Sequence, residues 1–152
     1  MLVVFDLDGT LADITHRLNY IQHKPKNYKA FHAACVNDAP IEEIIEVFDL
    51  LYSDEIIAHK HHDVVICSGR SDEVREQTEA WLRENTGAMY FDLKMRKAGD
   101  YRKDCMVKEE MLQEIIEEYG QKPDLVFDDR QQVVDMWRSH GIRVAQVAKG
   151  DF

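Results

Sequence analysis

Short apolar runs alternate along this chain with longer stretches in which apolar residues recur at helical spacing. Leu2-Val3-Val4-Phe5 has no polar partner positions, so it predicts a strand buried on both faces. Further strands are expected over Asp63–Cys67, Tyr90–Met95, Leu125–Phe127 and Ile142–Val147. Between the first two, Thr15–Gln22 and Asn27–Cys35 read as short helices split by Lys24-Pro25-Lys26. A longer helix, capped by Asp38 with Pro40 near its start, carries Ile41, Ile44, Ile45, Phe48, Leu51 and Tyr52 on one side. Ser71 opens another helix that Gly87 ends. A helix from about Asp104 to about Tyr119 stops at Gly120, and Gln131–His140 stops at Gly141.

Short buried strands alternating with helices predict an α/β fold. It is a doubly wound parallel sheet of about five strands with helices on both faces. Ligands in such sheets bind beyond the carboxyl ends of the strands. Asp6 and Asp8, Ser68, and Asp128 and Asp129 all fall at strand ends, so three polar clusters converge on one rim.

The 152 residues suit one domain with a full core, and 45% hydrophobic with 32% charged residues excludes a disordered chain. No apolar stretch approaches a membrane span, and no basic leader precedes the first strand, so no membrane partner and a cytoplasmic location are expected. Cys35, Cys67 and Cys105 lack metal or disulfide spacing, and Cys67 reads as core. His59, His61 and His62 are a second metal candidate, but they sit beside Lys60 at a helix end, where cations suit the helix dipole. The net charge of −10 argues against a non-specific nucleic-acid binder. The run Arg96, Lys97, Arg102 and Lys103 is a local exception, able to meet a nucleic-acid backbone.

The candidate chemistry begins at Asp6-Leu7-Asp8-Gly9-Thr10. A rigid strand aims one carboxylate at phosphorus, and Gly9 lets backbone N–H groups approach a phosphate. Asp8 faces the same way if the pleat persists, which pairs a nucleophile with an acid/base. D-x-D-G also occurs in calcium loops, but the oxygen ligands that such loops carry next are replaced here by Thr10-Leu11-Ala12. Asp128 and Asp129 add carboxylates to Asp6, and oxygen-only ligands beside a phosphate point to Mg²⁺. Asp129 equally fits a helix cap. Ser68-Gly69-Arg70 fits either a phosphate cradle or a capped turn. Lys108 fits either a phosphoryl-oxygen contact or the solvated face of a Glu-rich helix.

Taken in order, Asp6-x-Asp8-Gly9-Thr10, Ser68, Lys108 and Asp128-Asp129 resemble the haloacid dehalogenase superfamily of phosphotransferases, which implies a Rossmann-like domain spanning the chain. The resemblance implies that Asp6 attacks phosphorus to form an aspartyl-phosphate. Asp8 then serves as acid and base, and Ser68 and Lys108 hold phosphoryl oxygens. Asp6, the Asp8 carbonyl, Asp128 and Asp129 arrange Mg²⁺. A small helical insertion over the site is implied at about 11–60.

A closer resemblance is to the 3'-phosphatase domain of phage polynucleotide kinase–phosphatases. It rests on Arg96, Gly99-Asp100-x-Arg102-Lys103-Asp104, Val107-Lys108-Glu109-Glu110, Asp128-Asp129-Arg130, Val133-Val134-x-Met136-Trp137-Arg138 and Gln146-Val147-Ala148-x-Gly150-Asp151-Phe152. It implies that Thr10, Arg17, Gly69, Arg70 and Arg96 serve the substrate or the surface around it, with Asp104 orienting the basic residues. The expected substrate is a phosphorylated nucleotide or a nucleic-acid 3' end. No G-x-x-x-x-G-K-[ST] run is present, so no kinase domain is expected. A nucleotidase acting on nucleoside monophosphates is the alternative. A receiver module that only accepts phosphate is a third reading, for which Asp8 is the discriminating residue.

Overall fold

The computed structural model describes residues 1–57, 62–88 and 92–150, with the backbone alone described over 53–57. Its centre is a parallel sheet of β1 (Leu2–Asp6), β4 (Asp63–Ser71), β5 (Asp92–Arg96), β6 (Leu125–Asp128) and β7 (Arg143–Gln146). The strand order β5-β4-β1-β6-β7 puts β1 in the middle, with the winding reversing beside it. This is the expected doubly wound α/β architecture. The expected strand start at Tyr90 lies outside the described residues, as do His59, His61, Asp151 and Phe152.

β1 explains why its sequence shows no alternation. Val3 and Phe5 join a core layer with Phe48 of α3 (Glu42–Ile57) and Trp81 and Leu82 of α4 (Arg75–Asn85). Leu2 and Val4 join the opposite layer with Met111, Leu112 and Ile115 of α5 (Asp104–Tyr119) and Val133 and Trp137 of α6 (Gln131–Ser139). Both faces are covered, so every position is apolar. Phe5 stacks on Phe127 at 4.5 Å, which locks the neighbouring strands in register.

That register builds the rim. Asp6 pairs with Cys67 and Phe5 with Phe127, so Asp128 emerges level with Asp6 and Ser68 one residue beyond it. The first strand ends at Asp6, and the pleat does not continue. The Leu7 carbonyl accepts from the N–H groups of Thr10, Leu11 and Ala12, turning the chain sharply. The strand whose pleat was expected to carry Asp8 alongside Asp6 thus ends before Asp8.

The segment after the turn differs most from expectation. A two-residue ladder joins β2 (Ala12–Asp13) to β3 (Ala39–Pro40). Between them, α1 (Asn19–Gln22) and α2 (Tyr28–Ala33) are flanked by single 3₁₀ turns and close on Ile14, Ile21, Phe31 and Leu18. Asp38 does not cap α3. That helix starts at Glu42 behind the Ile41 carbonyl, because buried arginines claim the Asp38 carboxylate.

Candidate active site

Asp6, at the end of β1, is 3% exposed. Its Oδ1 accepts from Lys108 Nζ at 2.6 Å, and the same ammonium donates to Asp128 Oδ2 at 3.0 Å. Asp104 Oδ2 lies 3.6 Å from it. Lys108 is fully buried, so the solvated-face alternative is excluded. Burial alone would discharge it, but Asp128, Asp6 and Asp104 together outweigh that and hold its pKa well above the ordinary lysine range. Burial pushes the Asp6 carboxyl up, against Lys108 and with the help of Asp128 and Asp129.

Asp129 does not cap α6. The Arg130 N–H that opens the helix is taken by Asp128 Oδ1 at 3.1 Å. Asp129 Oδ1 is buried with no hydrogen-bond partner among the described residues. Burial and the Asp128 charge push the Asp129 carboxyl up to about 7. Asp6, Asp128 and Asp129 each offer an oxygen, and the three lie within 4.8 Å of one another. An orphaned oxygen in a cluster of hard donors fits a divalent cation. The backbone fits around it: Gly9 has φ +87°, and a Cβ there would stand 2.3 Å from Asp129 Oδ2. A side chain at that position would be strained by the backbone and would displace the Asp129 carboxylate.

Asp8 belongs to a different network. Its Oδ1 accepts from Arg70 Nε at 2.6 Å and from Arg17 Nη2 at 2.8 Å. Burial would raise this carboxyl, but Arg70 and Arg17 outweigh it and lower the pKa to about 2. The calcium-loop alternative therefore loses one of its carboxylates to the arginines.

Both guanidiniums are fully buried and also grip Asp38. Arg17 donates to Asp38 through Nε and Nη2, each at 2.7 Å, and Arg70 through Nη2 at 2.6 Å. His16 Nε2 lies 2.8 Å from Asp38 Oδ1, and Trp81 Nε1 donates to the Asp38 carbonyl at 2.8 Å. Arg17 also stacks 4.3 Å over the Phe31 ring. Asp38 is a site residue that the sequence reading missed. Nothing in the sequence pairs Arg17 or Arg70 with a carboxylate, and Asp38 reads there only as a helix cap.

The remaining expected residues also reach the rim. Ser68 is buried, and its Oγ accepts from the Arg70 N–H at 3.2 Å. Thr10 is buried with a hydroxyl that has no partner among the described residues. A Cβ at Gly69 would stand 2.4 Å from Asp104 Oδ1, so the strand exit and the α5 start meet there without room for a side chain. Arg96 donates to the Gly69 carbonyl and to Asp104 Oδ1, both at 2.9 Å. Arg102 is forked between Asp100 and Glu110. The basic run at 96–103 is thus partly neutralised within the protein, contrary to its reading as a cationic surface.

A pocket of about 320 Å³ opens beside this cluster, lined by Gly9, Ile14, Leu18, Ile41, Asp129 and Lys149 among others. Paired carboxylates, a buried ammonium and an arginine-held second acid on one rim suit phosphoryl transfer. The family model for the polynucleotide kinase PNKP phosphatase domain matches residues 1–152. The chain belongs to that family. It is a phosphatase domain.

Solved structures agree with the PNKP phosphatase assignment. A structure of the Pnkp1/Rnl/Hen1 RNA repair complex matches with TM-score 0.72 and 30% identity, covering 99% of this chain and 43% of that one. A second Pnkp1/Rnl/Hen1 structure matches with TM-score 0.73 and 31% identity, covering 99% and 47%. The chain therefore spans less than half the length of these relatives. The Mycobacterium tuberculosis protein tyrosine kinase A matches with TM-score 0.50 and 17% identity over 99% of this chain and 87% of its own, which shows a shared fold alone. No helix among the described residues is long and apolar enough to cross a membrane.

Proposed function

We propose that this domain is a Mg²⁺-dependent phosphomonoesterase that removes 3'-phosphates from polynucleotide ends through an aspartyl-phosphate on Asp6. The observation that carries the reading is the pairing of a buried, Lys108-held Asp6 with an arginine-held Asp8 two residues on. Likeness to a Pnkp1 RNA repair complex supports a polynucleotide end as the substrate. A divalent cation held by Asp6, Asp128, Asp129 and the Asp8 carbonyl would neutralise charge on the phosphate.

An Asp6 oxygen attacks phosphorus, and the bond from phosphorus to the 3' oxygen breaks with its electron pair on that oxygen. Protonated Asp8 supplies the proton. Water then attacks the aspartyl-phosphate, Asp8 takes a proton from it, and the Asp6–phosphorus bond breaks to release orthophosphate. Lys108, Ser68 and Thr10 hold the charge on the phosphoryl oxygens.

The low pKa of Asp8 suits the second half of this cycle directly. The first half requires an arriving phosphate dianion to draw Arg17 and Arg70 toward itself, which weakens their hold on Asp8 and raises its carboxyl. Arg17 and Arg70 are then substrate-facing and acid-tuning at once. Arg96 and Asp104 fix the wall behind Gly69.

Acid quenching with a substrate labelled in its 3'-phosphate tests the mechanism. Label is expected on the protein, removable by hydroxylamine and absent from Asp6→Asn. Turnover without protein-bound label would exclude the covalent route.

A further inference from the structure

The chain carries −10 overall, yet it has no Asp or Glu between Asp13 and Asp38. That stretch holds Arg17, Lys24, Lys26 and Lys29 with His16, His23 and His32. Asp8 and Asp38 occupy Arg17. Lys24, Lys26 and Lys29 are exposed, and none forms an ion pair with a described residue. In an acidic protein this stretch carries exposed positive charge and no acid of its own.

Its aromatic residues form a line with these cations. Tyr28 is 46% exposed at the start of α2. The Lys26 ammonium lies 5.8 Å from its ring. One turn on, His32 stacks against Tyr28 at 6.5 Å with the rings tilted by 27°. His32 Nδ1 is buried without a partner among the described residues, and Asp8, Arg17, Arg70 and Arg96 are its charged surroundings. The line thus starts beside the catalytic carboxylates and ends on the open lysine face. Phe31 anchors its middle, since its carbonyl accepts from Arg17 Nη1 at 3.3 Å.

We propose that the outer face of α1 and α2 is the docking track for the single-stranded polynucleotide leading into the phosphorylated end. Tyr28 stacks on a base, and Lys24, Lys26 and Lys29 meet the backbone phosphates preceding it. His32 offers its unused nitrogen to the terminal nucleotide. This inference rests on the polynucleotide reading given above. It places the binding surface on the segment at 14–37, because in the run at 96–103 both arginines are already paired within the protein.

The test compares a 3'-phosphorylated single-stranded oligonucleotide of about ten nucleotides, long enough to cover one such groove, with a 3'-nucleoside monophosphate. The variants are Lys24→Ala/Lys26→Ala/Lys29→Ala and Tyr28→Ala, all at exposed positions whose melting temperatures report folding. The quantity read is kcat/KM for the oligonucleotide divided by kcat/KM for the monophosphate.

Each variant is expected to lower that ratio about tenfold. The triple variant is also expected to flatten the salt dependence of oligonucleotide turnover by about 2 in log–log slope. An unchanged ratio and slope overturn the track. If the parent releases phosphate from neither substrate, the proposed activity fails by itself. The track is then judged by fluorescence anisotropy of the labelled oligonucleotide. Binding lost in the triple variant sustains it, and binding kept, or absent from the parent, overturns it.

Discussion

Asp8 and Asp38 accept hydrogen bonds from the same nitrogen, Nη2 of Arg17, at 2.8 and 2.7 Å. Arg70 repeats the arrangement with both acids. Two carboxylates therefore share two guanidiniums in a buried, charge-balanced square, and the position of Asp8 depends on Asp38. Asp38→Asn is expected to lower kcat about 100-fold, because a small displacement of an acid/base group costs that much. With one carboxylate removed, both guanidiniums turn fully on Asp8 and lower its pKa further. The acid limb of the rate profile should move to lower pH. An Asp38→Asn enzyme with normal kcat and an unmoved acid limb would show that the square is structural only.

The same square links Asp8 to acid stability. Its carboxyl has a pKa of about 2 in the fold, against 3.8 for an unperturbed aspartate. Since the folded value is the lower one, the contribution is fully present above pH 3.8 and is lost as pH falls through 2. It amounts to roughly 2 kcal/mol. Asp8→Asn should lose that increment at neutral pH, so urea unfolding at pH 7 and at pH 2 should converge for the two proteins only at the acid end. A constant gap at both pH values would contradict the assignment.

Asp129 works in the opposite direction. Its carboxyl is raised to about 7 in the metal-free fold, so between pH 3.8 and 7 the folded state keeps a proton that the unfolded chain has released. Stability from this group is complete below 3.8 and declines as pH rises through 7. The melting temperature of EDTA-treated protein should fall between about pH 5 and about pH 8. Mg²⁺ should hold it up, and Asp129→Asn should flatten the fall. Equal slopes with EDTA and with Mg²⁺ would remove the metal from this site.

Lys108 is the counter-ion of the whole carboxylate cluster. Lys108→Met leaves Asp6, Asp128 and Asp104 facing one another in the interior. Breaking a buried pair in this way costs about 3–5 kcal/mol. Urea titration should show that loss. A variant as stable as the parent would mean that the three acids are not ionised together.

Much of this was legible in the sequence, for definite reasons. The five strands were visible because the sheet is covered on both faces, which removes polar positions and leaves short apolar runs such as Leu2–Phe5. Asp6, Ser68 and Asp128 could be placed on one rim because parallel strands in register end together. The segment at 14–37 was harder. Its helices are short, and the role of Asp38 is set by Arg70, which lies far along the chain. Local capping patterns cannot report such a pairing, and the Asp38–Pro40 cap gave way to it. The turn at Leu7 was hidden for a similar reason, since three N–H groups converging on one carbonyl leave no periodic trace.

The measurement that bears most directly on the account is phosphate release, with Mg²⁺, from matched oligonucleotides phosphorylated at the 3' or the 5' end. The account predicts release from the 3' end, little from the 5' end, and none from either with Asp6→Asn. Release from the 5' end alone, or equal release by the Asp6→Asn variant, would contradict it.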